Sequence, residues 1–318
     1  MDFERLTRQE RYDALTEIAD MYYNQGKTQA EIANHFSTNR FRIAKLLQDA
    51  RAEQVVEIRI NYANQRNQSM EQELTDRYPL SGAVVVNTQY SSYADSCSQV
   101  GQAGAVLLHK LLTAGSVLGI TWGKTIQTVV NRLPQTFHTP ISVVQMAGHI
   151  SLANPSAESR ELARTAAFAH FGNVYYLNAP LYVHDPSLRQ GLLAEPDLYR
   201  TLCKAREMNV FLTGIGSRSS LPLASPAFRP YLSARDLAAA DQCVGSILGY
   251  VLDSSGQTAD LDLNQKVMAL PPDELKAVPH RIAVAYGRHK VPVIRLAVTQ
   301  GWVNELVTDM DTALMLLD

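Results

Sequence analysis

Residues 27–51 read KTQAEIANHFSTNRFRIAKLLQDAR. Thr28 and Glu31 stand three apart, the spacing of a capping box that starts a short helix. Ile32 and Phe36 lie one turn apart and can face inward. Ser37, Thr38 and Asn39 are turn formers, and either Thr38 or Asn39 can cap the helix that follows. In that second helix Ile43, Leu46, Leu47 and Ala50 recur at i, i+3, i+4 and i+7, which makes one apolar stripe. Arg40, Arg42, Lys45 and Arg51 fall outside it. A helix that packs on one side and carries Arg and Lys on another can enter a major groove. The spacing predicts a helix-turn-helix in which Arg40 and Arg42 face the groove and Lys45 meets a phosphate. A solvated helix face would carry the same charges. The capping box, the short turn and a preceding helix favour DNA.

That preceding helix is expected from about Arg8 to Tyr23, with Leu15, Ile18, Ala19 and Tyr22 on its inner side. Gly26 suits a left-handed position just beyond its end. After the basic helix, the β-branched run 55–60 could form the strand of a wing. The formal net charge of the whole chain is -2, which looks wrong for a nucleic-acid binder. Local charge decides: from Ser37 to Arg51 there are four bases and one acid, Asp49. One basic face suffices when an oligomer presents several.

At 318 residues, two domains are expected. The boundaries read as 1–60 for the helix-turn-helix domain, 61–79 for a linker and connecting helix marked by Met70, Leu74 and Tyr78, and 80–318 for a second domain. No apolar run reaches the roughly 18 residues of a membrane span, and the charged start MDFERLTRQER does not read as a signal peptide. Cys97, Cys203 and Cys243 show no CxxC spacing and read as thiols in a reducing, cytoplasmic setting. The histidines form no HxH or HExxH pattern, so no metal site is expected, and no cofactor is implied.

From Ser81 the pattern changes. Apolar runs at 83–86, 116–120, 141–146, 174–177, 209–213, 282–285 and 302–307 alternate with helical stretches at 100–113, 125–133, 159–171, 291–299 and 311–317. Such alternation implies right-handed crossovers and a mostly parallel sheet, an α/β domain. Ligands of such sheets sit at the carboxyl ends of the strands. The loop Gly119-Ile120-Thr121-Trp122-Gly123-Lys124-Thr125 follows a strand and opens a helix. Free N–H groups, a helix dipole, two hydroxyls and a Lys in one turn suit a phosphate. It is not a Walker A loop, so no nucleotide is implied. Three further strand-end loops carry Gly148 and His149, Gly214 and Gly216, and Lys290. Glycine there can also serve only to turn tightly. Asp253 in a turn and Asp309 before the last helix are the carboxylates of interest, although each could merely close its turn or cap its helix.

A helix-turn-helix joined to an α/β domain with GITWGKT, LTGIGS, LDSSG, YGRHK and LVTDMDTA in that order resembles the SorC/DeoR-type bacterial regulators over nearly the whole chain. The resemblance implies a winged helix-turn-helix followed by a Rossmann-like, mostly parallel sugar-binding domain akin to sugar-phosphate isomerases and deaminases. It implies operator DNA and a sugar or sugar phosphate as partners, in a homo-oligomer, expected to be a tetramer built as a dimer of dimers. It places DNA contacts on Asn39, Arg40, Arg42 and Lys45, and Thr38 in the preceding turn is added to them as a candidate. Effector contacts fall on Thr121, Trp122, Gly123, Lys124, Thr125, Gly148, Gly214, Gly216 and Lys290, and the reading of the loops adds His149 and Asp253 as candidates. The chain departs from the family where many members have Gly-Asp and it has Gly245-Ser246, and where Tyr286-Gly287-Arg288-His289-Lys290 replaces Gly-Gly-x-x-Lys. The reading is a non-enzymatic transcription regulator. The alternatives are a sugar-phosphate isomerase or deaminase with an appended DNA-binding domain, and a DNA-binding protein whose α/β domain only oligomerises.

Overall fold

The computed structural model describes residues 7–53, 55–56, 66–88, 93–136, 139–149 and 155–318. The chain divides into two compact units, Met1–Asn64 and Gln65–Asp318.

In the first unit, α1 (Arg8–Tyr23), α2 (Gln29–His35) and α3 (Arg40–Ala52) surround one small core. Thr7 with Glu10 and Thr28 with Glu31 form reciprocal capping boxes that satisfy the first N–H groups of α1 and α2. Gly26 takes φ +69°, which lets the chain reverse into α2. Leu15, Ile18, Ile32 and Ile43 are wholly buried, and Phe36, Leu46, Leu47 and Ala50 close the core around them. Arg11 bridges to Asp49 at 2.8 Å and Glu53 at 2.9 Å, which ties α1 to the end of α3. Of the run expected to form a wing, Val55 and Val56 pack against the core, and residues 57–60 lie outside the described residues.

The second unit is built on seven strands: β1 (Gly82–Val86), β2 (Val117–Ile120), β3 (Ser142–Gln145), β4 (Asn173–Tyr175), β5 (Val210–Thr213), β9 (His280–Val284) and β10 (Glu305–Asp309). Between β5 and β9, the shorter strands β6 (Gly216–Ser217), β7 (Cys243–Ile247) and β8 (Tyr250–Asp253) form a separate antiparallel sheet. The main sheet has the order β1-β10-β9-β5-β2-β3-β4, with every described pairing parallel. Strand alternation sorts its side chains to two faces. Val84, Val86, Leu118, Ile120, Leu212 and Val284 pack with α5 (Tyr93–Leu111), α6 (Lys124–Val130) and α7 (Ser159–Ala169). Ala83, Val85, Val117, Phe211, Ala283 and Leu306 face the other layer. Both faces being covered is why these strands read as continuous apolar runs.

Two expectations shift. The last strand begins at Glu305 and not Trp302, because Trp302 is buried with its indole N–H donating to Gly256 O at 2.9 Å. The helix marked by Met70 and Leu74, α4 (Gln68–Arg77), does not serve as a linker. It packs into the second unit's core, with Met70 and Leu74 buried there. Glu71 Oε1 accepts from Val85 N–H at 3.0 Å, and Arg66 clasps the same carboxylate at 2.7 and 2.8 Å. Tyr78 Oη donates to Leu316 O at 2.6 Å. The compact unit therefore starts at Gln65, not residue 80. The antiparallel sheet has no counterpart in the sequence reading, since its strands are short and interrupted by turns.

His170, at the carboxyl end of α7, is wholly buried, with its ring 6.3 Å from that of His109. Burial lowers its pKa below the usual 6.5, a hydrogen bond to Ala166 O opposes this, and His109 adds to the lowering. The unfolded chain then takes up a proton near pH 6.5 that the folded chain refuses, so stability falls as pH drops below 6.5, down to the folded pKa. Melting curves from pH 7 to 5 are expected to show this loss, at most about 1.4 kcal/mol per pH unit. His170→Gln is expected to flatten that segment whatever its cost at neutral pH. An unchanged slope in the variant would assign the acid sensitivity elsewhere.

Candidate functional site

The first candidate site is the exposed side of α3. Asn39 caps the helix, its Oδ1 accepting from Arg42 N–H at 2.8 Å, so its side chain is engaged locally. Thr38 is half-buried, and Arg40 and Lys45 are exposed. Arg51 turns back on α1, its Nε donating to Tyr23 Oη at 3.1 Å and its guanidinium lying over that ring. It thus leaves the basic face. At about 100° per residue, Phe41, Lys45 and Gln48 form one ridge directly opposite the buried stripe of Ile43, Leu46, Leu47 and Ala50. Arg40 and Arg42, which the sequence reading has facing the groove, flank that ridge on either side. Sequence reasoning passed over Phe41 and Gln48; the signal available was an aromatic residue off the apolar stripe.

The second candidate site follows from topology. From β2 the chain moves to β3 and β4 on one side, while β5 leads to β9 and β10 on the other. Helix α6, after β2, packs on one face of the sheet, whereas Leu221 and Val251, after β5, pack on the opposite face. The strand order thus reverses between β2 and β5, and ligands of open α/β sheets bind outside the carboxyl ends at such a switch point. The predicted loops meet there. Thr121 N–H donates to Leu212 O at 3.3 Å, and its buried hydroxyl donates to Thr213 Oγ1 at 3.3 Å. Thr121 therefore stitches the two strand ends together. A Cβ on Gly214 would lie 3.9 Å from Trp122 O and 3.8 Å from Ile126.

Gly123 holds φ +115° at the start of α6, with open space where a side chain would stand. Gly287 holds φ +102° after β9. Neither helical start is capped by the side chain that precedes it. Gly123 N–H donates to Ala157 O and Gly287 N–H to Thr312 Oγ1, so it is the N–H groups just beyond these glycines that lie at the sheet's carboxyl edge. Lys124 is exposed and Thr125 half-buried on the first turn of α6. Lys290 is half-buried; burial pulls its pKa below the usual lysine range, and the nearby Cys97 thiol works against that. Cys97 Sγ in turn lies 3.6 Å from Thr128 Oγ1, which joins α5 to α6.

The remaining predicted residues serve packing to differing degrees. Gly148 donates its N–H to Met268 O at 2.8 Å, and a Cβ there would meet Pro180 O at 2.2 Å. Gly216 pairs with Ser246 inside the antiparallel sheet. Asp253 Oδ1 accepts from Ser255 N–H at 2.8 Å, from Ser255 Oγ at 2.6 Å and from Gln257 N–H at 3.2 Å, which closes its turn. Asp309 caps α13 (Met310–Leu317) by accepting from Thr312 N–H at 2.9 Å. His149 is exposed and borders a cleft of about 350 Å³ with Gln145, Arg160 and Asn178. Arg160 donates to Asn178 Oδ1 at 3.1 Å. Nothing in the spacing of these three marked them, since each comes from a different element.

A three-helix unit with a cationic, solvent-facing helix, joined in one chain to a parallel α/β unit with glycine-bearing loops at its switch point, is the plan of an effector-controlled transcription regulator. Residues 62–318 match the family described as "Putative sugar-binding domain". The chain belongs to this family, within the SorC/DeoR-type sugar-binding regulators. It is 28% identical over 306 residues to the sorbitol operon regulator of Klebsiella pneumoniae, covering 95% of this chain and 97% of that one. It is 25% identical over 304 residues to the deoxyribonucleoside regulator of Bacillus subtilis, covering 95% and 96%. The crystal structure of the full-length Klebsiella pneumoniae regulator superposes with a TM-score of 0.73 at 27% identity, covering 96% of this chain and 98% of that one.

Proposed function

We propose that the chain is a DNA-binding regulator of a sugar-catabolism operon whose operator affinity is set by a sugar phosphate held at the β2–β5 switch point. The observation that carries the effector reading is the meeting of the Thr121–Thr125 loop and Gly214 at the switch point, with the Lys290 turn following the neighbouring strand β9. Uncapped N–H groups and two lysines favour an anion over a neutral sugar. His149, with the cleft beside it, is the neighbour best placed to meet the far end of the effector. Gly148, Gly216 and Asp253 support the pocket's walls through the packing and hydrogen bonds described above.

Thr38, Asn39, Arg40, Arg42 and Lys45 form the operator-facing end, with Asn39 acting through its cap. The protein works as a homo-oligomer, a dimer of dimers, because one short helix gains sequence selectivity when paired half-sites are read together. It acts in the cytoplasm, where its operator is. It is read as a regulator and not as an enzyme because the relatives it matches are named as regulators. Effector and operator are coupled through differential affinity of two states.

The test is direct. The full chain is expected to select duplex DNA from a random pool, and a sugar phosphate from a panel is expected to raise its melting temperature and change that DNA affinity. Arg40→Ala/Arg42→Ala is expected to weaken binding about tenfold or more and to flatten its salt dependence. Unchanged affinity in that variant would overturn the DNA assignment. Turnover of ribose-5-phosphate or glucosamine-6-phosphate would overturn the regulatory one.

A further inference from the structure

Phe41 is 80% exposed, the most exposed of the large apolar side chains among the described residues. It stands on the second residue of α3, in a core built without it. Leaving a phenyl ring in water forgoes the gain of burying it, and this ring has no packing role in its own unit to explain it. Its position is specific. Phe41, Lys45 and Gln48 make the ridge opposite the buried stripe, and all three are exposed. The guanidinium of Arg40 lies 5.7 Å from the Phe41 ring centre, which holds a cation beside the ring.

We propose that this ridge, and not the flanking arginines, reads the operator's bases, and that Phe41 packs on the 5-methyl group of a thymine. The inference rests on the DNA-binding reading given above and assigns the roles within it. A ridge pointing straight away from the helix's own core enters the groove floor, while side chains on its flanks reach the groove walls, where the phosphates are. Arg40 and Arg42 then supply sequence-independent contacts. The groove floor offers one apolar feature, the thymine methyl, and an exposed phenyl ring among cations matches it. Gln48 has the paired donor and acceptor that adenine's N6 and N7 require, and Lys45 can donate to guanine O6 and N7. The flanking positive charge fixes duplex DNA as the occupant of this apolar patch rather than a second copy of the chain.

The experiment uses the full chain and duplex DNA selected by it from a random pool. Each thymine in the selected half-site is replaced by deoxyuridine, which removes only the methyl group. Wild-type protein is expected to lose about three- to tenfold in affinity at one thymine per half-site. Phe41→Ala is expected to bind thymine and deoxyuridine at that position equally, while Phe41→Leu keeps part of the difference. Because Phe41 lies outside the core, circular dichroism of both variants is expected to match wild type. Arg40→Ala/Arg42→Ala is expected to keep the thymine preference while weakening all sequences alike. If every deoxyuridine is neutral to the wild type, or if Phe41→Ala keeps the full discrimination, the inference fails while DNA binding stands. If the chain selects no duplex at all, the regulatory reading fails, and this inference falls with it.

Discussion

A chain beginning at Gln65 is expected to fold as a monodisperse, ligand-binding unit, whereas one beginning at Leu80 is expected to precipitate or melt far lower. The difference is α4. Its removal takes Met70 and Leu74 out of the core, each worth about 1.5–3 kcal/mol of burial. It also deletes the Glu71 carboxylate that accepts from Val85 N–H and the Tyr78 hydroxyl that holds the carbonyl of Leu316. An unpaired buried N–H costs about 1–3 kcal/mol. Together these losses approach the whole margin of roughly 5–15 kcal/mol by which domains are stable. Thermal melts and size-exclusion profiles of the two fragments, 65–318 and 80–318, decide the matter. Equal melting temperatures would mean that α4 is an appendage and that the burial described above contributes little.

The second large effect concerns the effector. Lys290→Ala is expected to weaken sugar-phosphate binding at least tenfold, and Lys124→Ala less, because Lys290 is half-buried and Lys124 lies in screened solvent. The double variant is expected to lose about a hundredfold while keeping its DNA affinity in the absence of effector. The pH dependence follows from burial, which lowers the pKa of Lys290. A lysine so placed sheds its proton at a lower pH than a free one. An anion bound beside it draws the proton back. Effector affinity is therefore expected to weaken as pH rises through the lowered pKa, toward 10.5, and Lys290→Ala is expected to abolish that part of the profile. Calorimetric titrations at several alkaline pH values measure both effects. Wild-type affinity in the double variant would remove both lysines from the site.

The helical unit was legible because its determinants are local. Thr28 with Glu31, and Ile43 with Leu46, Leu47 and Ala50, act within a turn or two, and helix ends follow from caps of that reach. The parallel strands were legible because burial on both faces leaves an unbroken apolar run, as at Val84-Val85-Val86. What could not be read depends on distant partners. Nothing near Met70 says that its helix packs on β1 and α13, since the partners of Glu71 and Tyr78 come from 14 and 238 residues away. The antiparallel sheet was missed because Gly245 and Ser246 lack a strand's apolar alternation. The loops at the strand ends were legible from the alternation of strands and helices. The separation of roles within them was not, because Gly148 in a ligand loop and Gly148 against the Pro180 carbonyl look identical in sequence. The direction of the α3 ridge follows from helical spacing alone, yet a search for basic residues passes over the phenylalanine at its tip.

The two margins of the main sheet are unlike its middle. At one, β4 runs for only three residues, Asn173–Tyr175. At the other, Arg66 forms an antiparallel bridge to Val86, Asn67 N–H donates to Val85 O at 2.9 Å, and Glu71 accepts from Val85 N–H. At Val85 and Val86 the outer main chain of β1 is thus already occupied by the segment that leads into α4, and β4 offers only three residues as a template for another strand. A margin closed in this way resists strand-by-strand accretion, the route by which α/β proteins form insoluble ribbons. In the homo-oligomer proposed above, copies would then meet through helices and loops, surfaces whose shape can change between states without unpicking a hydrogen-bonded ladder.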